Sequence, residues 1–370
     1  MTERALRRFM LFIIAALITV GCVAVYSATA VMAHEAYGHS LHFVVSHVLA
    51  VAVGLGLGLA MLAVPEPALR RIAKIGVVVS LLALAAVLLV GMEVGGAQRW
   101  FRIGRFGIQP SEFAQLALVL YLADFLARKQ DAVRDLRRGF LPPMAVTGLM
   151  AGLVLLEPDL GTTIVMGAVA LLLLAVAKAR RRHLGITMLA GLAGFVVLVG
   201  MEEYRLRRLL AFLNPWQDPQ GSGFQIVQSY LAMANGGLIG QGLGGSMQKL
   251  FYLPGIHTDF IFALIGEEAG LAGTTAVLGL FALFVLCGIR LAMWAEQPFR
   301  KYLICGCVGL IGLEAIVNMA VVTGVLPTKG LPLPLVSYGG TAIISNMLAC
   351  ALILHASQHR KLEWGMQNAE

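Results

Sequence analysis

The chain has 370 residues, 59% of them apolar and only 13% charged, with a formal net charge of +8. Soluble domains carry roughly 25% charged residues, so an ordinary cytosolic globule is excluded, and a mean hydropathy of +0.83 is the opposite of what keeps a chain disordered. At about 20 residues per crossing this length holds at most about a dozen membrane spans, which makes the excess of cations a question of topology before one of nucleic-acid binding.

Arg4, Arg7 and Arg8 precede the first apolar run. That run is longer than the roughly 7–15 residues of a signal-peptide core, which predicts a retained first span. Runs of membrane length occur at 9–31, 43–64, 74–92, 112–128, 142–156, 160–177, 184–201, 262–290, 301–324 and 338–357. They lack the alternation of barrel strands. The expected fold is an all-α polytopic membrane protein with ten transmembrane helices, a single domain over 1–370, and a long extracytoplasmic loop at 202–257 between helices 7 and 8. An even number of spans puts both termini on one side. With both cytoplasmic, twenty of the 28 Lys and Arg fall inside and eight outside, as the positive-inside rule requires. Cys22, Cys287, Cys305, Cys307 and Cys350 lie in apolar runs without metal or redox spacing, and read as small packed side chains.

The eight outside cations stand against that rule. Arg99, Arg102 and Arg105 share a short loop with Trp100 and Phe101, a mixture that suits a segment in the headgroup plane with arginines reaching phosphates. Arg205, Arg207 and Arg208 open the long loop beside Glu202 and Glu203, so an anionic ligand and local acidic partners both account for them. Ser111 is placed to cap the fourth helix, with Glu112 at its positive end. Asp124, near the other end, is expected to pair with the basic loop that follows. In the turn Glu157-Pro158-Asp159-Leu160-Gly161, Pro and Gly suit the turn, but nothing about it demands two acids.

The glycine-dense stretch 236–245 lacks the Lys-Ser/Thr ending of a phosphate loop and follows no strand. No metal-ligand spacing is present, and no nucleophile elbow accompanies His257 and Asp259. Adjacent Glu267 and Glu268 point about 100° apart on a helix. At least one therefore faces an interior, either on a proton or ion path or as a tie between helices. Glu314 is another acid inside a predicted span.

Five motifs in order carry a resemblance. They are Gly96-Ala97-Gln98-Arg99-Trp100, Gln109-Pro110-Ser111-Glu112, Pro158-Asp159-Leu160-Gly161-Thr162, His257-Thr258-Asp259-Phe260 with Gly266-Glu267-Glu268, and Pro334-Leu335-Val336-Ser337-Tyr338-Gly339-Gly340. Together they resemble the SEDS family (shape, elongation, division and sporulation), over about residues 8–358. The stretches 214–219, 221–229 and 326–334 resemble its division type more than its elongation type.

The resemblance implies a ten-span peptidoglycan glycosyltransferase. Such an enzyme extends β-1,4 glycan strands from lipid II outside the cytoplasmic membrane, inverts the anomeric carbon and releases undecaprenyl pyrophosphate. The implied partners are lipid II, a class B penicillin-binding transpeptidase, divisome activator proteins and membrane lipid, with no nucleic acid. The resemblance gives the base role to Asp259. Arg99, Arg102, Arg105, Lys329, Ser337, Asp159, Glu157 and His257 are the expected substrate-binding residues. Glu112, Glu267, Glu268 and Glu314 are held as structural. No cofactor is assigned, and Asp159 with Glu157 leaves room for a divalent magnesium or manganese ion.

Two positions depart from the family pattern: Gln115 stands where a lysine is usual, and Gly255-Ile256 where an acid or amide is common. An ordinary Asp, with a pKa of about 3.9, is a poor base at neutral pH. Asp259 is therefore expected to be partly buried or to have an acidic neighbour, unless a metal-bound substrate lowers the demand. The rival readings are a lipid II flippase and a non-catalytic divisome scaffold. Buried acids and broken helices favour the flippase, but the polar motifs gather outside rather than at mid-membrane. The scaffold explains none of the loop arginines.

Overall fold

The computed structural model describes residues 2–94, 97–103, 106–249 and 253–358. Its helices are α1 (Glu3–Tyr37), α2 (His42–Ala63), α3 (Glu66–Val90), α4 (Pro110–Arg128), α5 (Leu141–Leu156), α6 (Leu160–Val176), α7 (Arg181–Gly200), α8 (Glu203–Leu213), α9 (Phe224–Gly236), α10 (Ile261–Trp294), α11 (Pro298–Val322) and α12 (Gly340–Ala356). All ten apolar runs fall on helices. Among the described residues eight helical segments are long and apolar enough to cross a membrane, α5 only together with the turn before it (Leu136–Leu156), and α6 and α12 are shorter apolar helices of 17 residues each. Two helices, α8 and α9, lie inside the 202–257 segment.

The all-α expectation needs one correction. Three short strands, β1 (Met92–Val94), β2 (Ala97–Ile103) and β3 (Phe106–Ile108), form an antiparallel sheet in that order. Arg99, Phe101 and Ile103 alternate with Gln98, Trp100 and Arg102, the period-two pattern of a strand. Arginines at every third position hide that period in the sequence. A second correction concerns Ser111. Helix α4 starts at Pro110, whose fixed φ suits the first helical position, and Gln109 is its N-cap without a side-chain bond. The Ser111 hydroxyl is buried inside the first turn with no partner among the described residues.

Helix α4 is central: 72% of its apolar window is buried, against 67% for α11 and 6% for α7, which lies at the periphery. In lipid the hydrophobic effect contributes little between apolar helices, so close packing and hydrogen bonds hold the bundle. A Cβ at Gly21 of α1 would come within 2.7 Å of the Val336 carbonyl oxygen; the absent side chain is what admits the segment before α12. At the opposite end, Asp124 bonds Arg128 at 2.9 Å, as expected, and Glu66 links Arg70 at 2.8 Å and Arg300 at 2.9 Å. All five cysteines are free thiols.

Helix α10 is broken at Gly270, whose φ of 64° and ψ of −161° are open only to glycine. The loop after α9 fills the break. Leu271 and Ala272 N–H groups donate to Gly237 and Leu238 carbonyls at 2.9 and 3.0 Å. The Glu267 and Glu268 carbonyls accept from Gln241 and Gly242, both at 3.0 Å. Two helical bonds are thus exchanged for four to the loop. The acid side chains finish the splice. The Glu267 carboxylate accepts from the Ser246 hydroxyl and the Met247 and Gln248 N–H groups. Glu268 accepts from Ser27 of α1 at 2.5 Å and from Lys249 at 3.1 Å. Of the two roles open to these acids, they fill that of a tie.

A Cβ at Gly270 would collide with the backbone of Ile239 and Gly240. Gly270→Ala is expected to destabilise by at least about 1–3 kcal/mol from backbone strain alone, read as a lower unfolding temperature in detergent. Gly279→Ala, in the same helix with open space at its Cβ, is the control and should not lower it.

Candidate active site

The turn before α10 and the segment before α12 are folded against each other. Leu331, Leu333, Leu335 and Val336 are buried, although they lie outside any helix. Asn318 of α11 donates through Nδ2 to the Asp259 carbonyl at 2.8 Å and to the Leu331 carbonyl at 2.7 Å. Ser337 donates to the Thr258 carbonyl at 2.5 Å and accepts from Leu333 N–H at 2.8 Å. Tyr338 N–H donates to the His257 carbonyl at 2.9 Å. The backbone that carries Asp259 is therefore clamped on both sides.

The Asp259 side chain is half-buried. A Cβ on Gly330 would stand 2.9 Å from its Oδ2, so this glycine lets the backbone lie against the carboxylate. Lost hydration pushes the Asp259 pKa up to about 7, the Asp159 charge adds to the rise, and Arg208 and Arg99 oppose it. This matches the requirement for a base near neutrality, and both expected causes, burial and an acidic neighbour, operate.

Asp159 caps α6, accepting from Thr162 N–H at 3.1 Å and from the Thr162 hydroxyl at 2.9 Å. Its charge acts on Asp259, Glu157 and Lys329 alike. Glu157 is fully buried, and neither carboxyl oxygen has a hydrogen-bond partner among the described residues. Burial, and then Asp159, push its pKa up to about 8 against the pull of Arg99.

Arg99 reaches from β2 and donates Nε to the Glu157 carbonyl at 2.6 Å and Nη2 to the Pro158 carbonyl at 2.7 Å. It fastens the sheet to the turn and brings its charge among the acids. Burial lowers the Lys329 pKa to about 8, with Asp159 opposing, and its ammonium lies 5.4 Å from the centre of the Phe195 ring of α7.

The remaining candidates divide. The His257 ring packs against Phe43 and Tyr338, each at 5.8 Å, and burial lowers its pKa, favouring the neutral ring. Arg102 is exposed on β2 opposite Gly107, and Arg105 lies outside the described residues. Glu112 and Glu314 are buried and come together with Gln115 between α4 and α11. Gln115 thus offers an amide, not a cation, to Glu314. Arg207 pairs with Glu203 on exposed α8 at 2.6 Å, the local explanation for that cation.

Asp159 and Glu157 do not form a ready divalent-ion site. Asp159 gives both oxygens to Thr162, and no three His, Cys, Asp or Glu among the described residues converge as metal ligands would. Asn318, Gly330 and Arg208 were not singled out for this site from the sequence. Arg208 had a signal, as a cation on the disfavoured side; Asn318 had only its polarity within a span, which reads as interhelical glue.

Residues 7–362 match the family of cell cycle proteins that includes FtsW, RodA and SpoVE. The protein named "Probable peptidoglycan glycosyltransferase FtsW" of Geobacter metallireducens is 42% identical over 349 residues, covering 94% of this chain and 93% of its own length. The stage V sporulation protein E of Bacillus subtilis is 39% identical, covering 93% and 95% respectively. A solved chain of a peptidoglycan synthase complex, described as coordinating polymerization and crosslinking, is similar with a TM-score of 0.78 at 31% identity over 95% of this chain and 98% of that one. The rod shape determining protein RodA of Thermus thermophilus is similar with a TM-score of 0.69 at 27% identity, over 95% and 96%.

Proposed function

The chain belongs to the FtsW, RodA and SpoVE family of cell cycle proteins, and we infer that it is a multi-pass membrane peptidoglycan glycosyltransferase of cell division that polymerises lipid II. Its topology is ten spans with both termini cytoplasmic, supported by the uneven split of the 28 cations. The end carrying the sheet, Asp159 and Asp259 then faces outward, at the septum. Its partner is a class B penicillin-binding transpeptidase, a reading supported by the similar chain's place in a complex that polymerises and crosslinks. Divisome proteins activate the pair.

Asp259 accepts the proton of the acceptor sugar's 4-hydroxyl as the oxygen attacks the anomeric carbon of the lipid II muramoyl unit. The C–O bond to pyrophosphate breaks on the opposite face, so an α donor gives a β linkage. Negative charge builds on the departing pyrophosphate, where Lys329, Arg208 and Arg99 supply compensation. The arginines offer two parallel donors to phosphate oxygens, and exposed Arg102 extends that cationic surface along the sheet. His257 and Ser337 shape the turn that presents the base.

The observation that carries this reading is a clamped carboxyl with a pKa of about 7 under the charges of Arg208, Arg99 and Asp159, the last also acting on Lys329. The test gives lipid II to the purified full chain with its transpeptidase partner in detergent, where there is no bilayer to flip across. Glycan polymer from the wild type and none from Asp259→Ala is expected; equal polymer from both would remove Asp259 from the chemistry. Gly330→Ala, which displaces the carboxylate without touching its backbone clamp, should lower kcat by about 10²-fold at unchanged unfolding temperature.

A further inference from the structure

The opposite ends of the site helices border a half-open surface pocket that the reaction does not use, and its charged residues are exposed. It measures about 560 Å³ and is lined by Asp131, Arg134, Lys178, Glu296, Lys301 and Tyr302, among others. Binding pockets run from roughly 300 to 1,000 Å³, so the space suits a small ligand or a headgroup. Asp131 and Arg134 follow α4, Lys178 follows α6, Glu296 follows α10, and Lys301 and Tyr302 open α11. Since α6 has 17 residues, this cavity lies about 25 Å along that helix from Asp159.

Three observations separate the cavity from an ordinary charged rim. First, it holds both signs: three cations and two carboxylates line one space. Topology accounts for the cations but not for the acids. Second, no ion pair joins any two of these five charges among the described residues, so each keeps donors or acceptors for a ligand.

Third, Lys178 is held in the left-handed region at φ 63°. It closes a Schellman turn, with its N–H on the Ala175 carbonyl and the Ala179 N–H on the Leu174 carbonyl, both at 3.0 Å. Glycine is the favoured residue there, and a lysine is strained. The side chain is kept at a cost to the backbone, and it lines the cavity.

We propose that this cavity binds the headgroup of an aminophospholipid, a phosphate diester carrying a primary ammonium, from the leaflet opposite the active site. Arg134, Lys178 and Lys301 take the phosphate, where guanidinium and ammonium groups are strong donors. Asp131 and Glu296 take the ammonium. A purely anionic headgroup would leave the two carboxylates facing a like charge.

The test uses the full chain in detergent and reads unfolding temperature and titrated affinity for short-chain phosphatidylethanolamine, phosphatidylglycerol and soluble phosphoethanolamine. Phosphatidylethanolamine should raise the unfolding temperature more than phosphatidylglycerol does. Lys178→Gly should raise the basal unfolding temperature by relieving the turn, yet bind phosphatidylethanolamine about tenfold more weakly. Glu296→Gln should weaken phosphatidylethanolamine by a similar factor and leave phosphatidylglycerol unchanged.

A response to soluble phosphoethanolamine would show that the headgroup suffices; a response to the lipid alone would fix the leaflet as its source. The proposal is overturned by equal binding of the two lipids, by wild-type affinity in Lys178→Gly, or by a lowered basal unfolding temperature in that variant, which would make the lysine a prop of the fold. None of these readouts depends on polymerisation.

Discussion

Asp259→Asn will polymerise lipid II about 10²–10⁴-fold more slowly than the wild type while unfolding at the same temperature near pH 4 and no lower above it, since asparagine has no proton to lose. The asparagine keeps the shape, and the clamp survives because Asn318 holds the Asp259 carbonyl at 2.8 Å rather than its carboxylate. The wild-type rate will carry the signature of the same group. Only the deprotonated carboxylate accepts a proton, and its pKa is about 7. Activity should therefore fall about tenfold per unit below that pH and level off above it. A flat profile between pH 5 and 8, or full activity in the variant, would refute the assignment. Polymer length by gel and pyrophosphate-lipid release give independent readings of the rate.

Glu157→Gln is expected to change stability rather than chemistry. The buried carboxyl titrates at about 8, against 4.5 for an ordinary glutamate. Between those values the folded state keeps a proton that the unfolded state has lost. Its contribution to stability is complete below about pH 4.5, then declines by about 1.4 kcal/mol per unit as pH rises towards 8. Asp259, raised from 3.8 to about 7, contributes a decline of the same sign over a lower window. Glutamine has no proton to lose. The variant should match the wild type at pH 4.5–5 and exceed it by several kcal/mol at pH 8.5. Thermal unfolding in detergent at the two pH values checks this. A wild type that becomes more stable as pH rises through the window, or a variant with the same slope, would refute it. The polymerisation limb near pH 7 should stay in place, since the Asp259 shift draws on Asp159, Arg208 and Arg99.

The helices were legible because their runs are long and apolar, and each of the ten runs lies on one. The sheet at 92–108 was not, because Arg99, Arg102 and Arg105 recur with a period of three that overprints the period of two. The motifs located Asp259, Asp159, Glu157 and Lys329 as separate stretches of chain, and the environment required of Asp259 followed from its chemistry. The sequence does not show who holds whom. Arg99 grips carbonyls of the 157–158 turn, and Asn318 gathers the Asp259 carbonyl from the turn before α10 and the Leu331 carbonyl from the segment before α12. Such bonds use backbone acceptors that every residue possesses, so no side-chain pattern announces them. Glu267 and Glu268 illustrate the converse. Their position in a span raised the question of a partner, and the partners are a hydroxyl, backbone amides and Lys249 from a loop of about twenty residues upstream.

The spliced break in α10 bears on how the protein is made. The segment 237–249 precedes α10 in the chain, and on the topology inferred above it is exported before that helix inserts. Until it folds back, the Leu271 and Ala272 amides and the Glu267 and Glu268 carbonyls lack the partners they have in the finished structure. Before then α10 can pair these groups only with one another, as two helical bonds in place of the four of the finished structure. The broken form of this helix therefore waits on the return of a segment made before it. Shortening 237–249 to probe catalysis would remove bonds that α10 makes in the finished structure, so lost activity in such a variant would report on this helix as well as on the site.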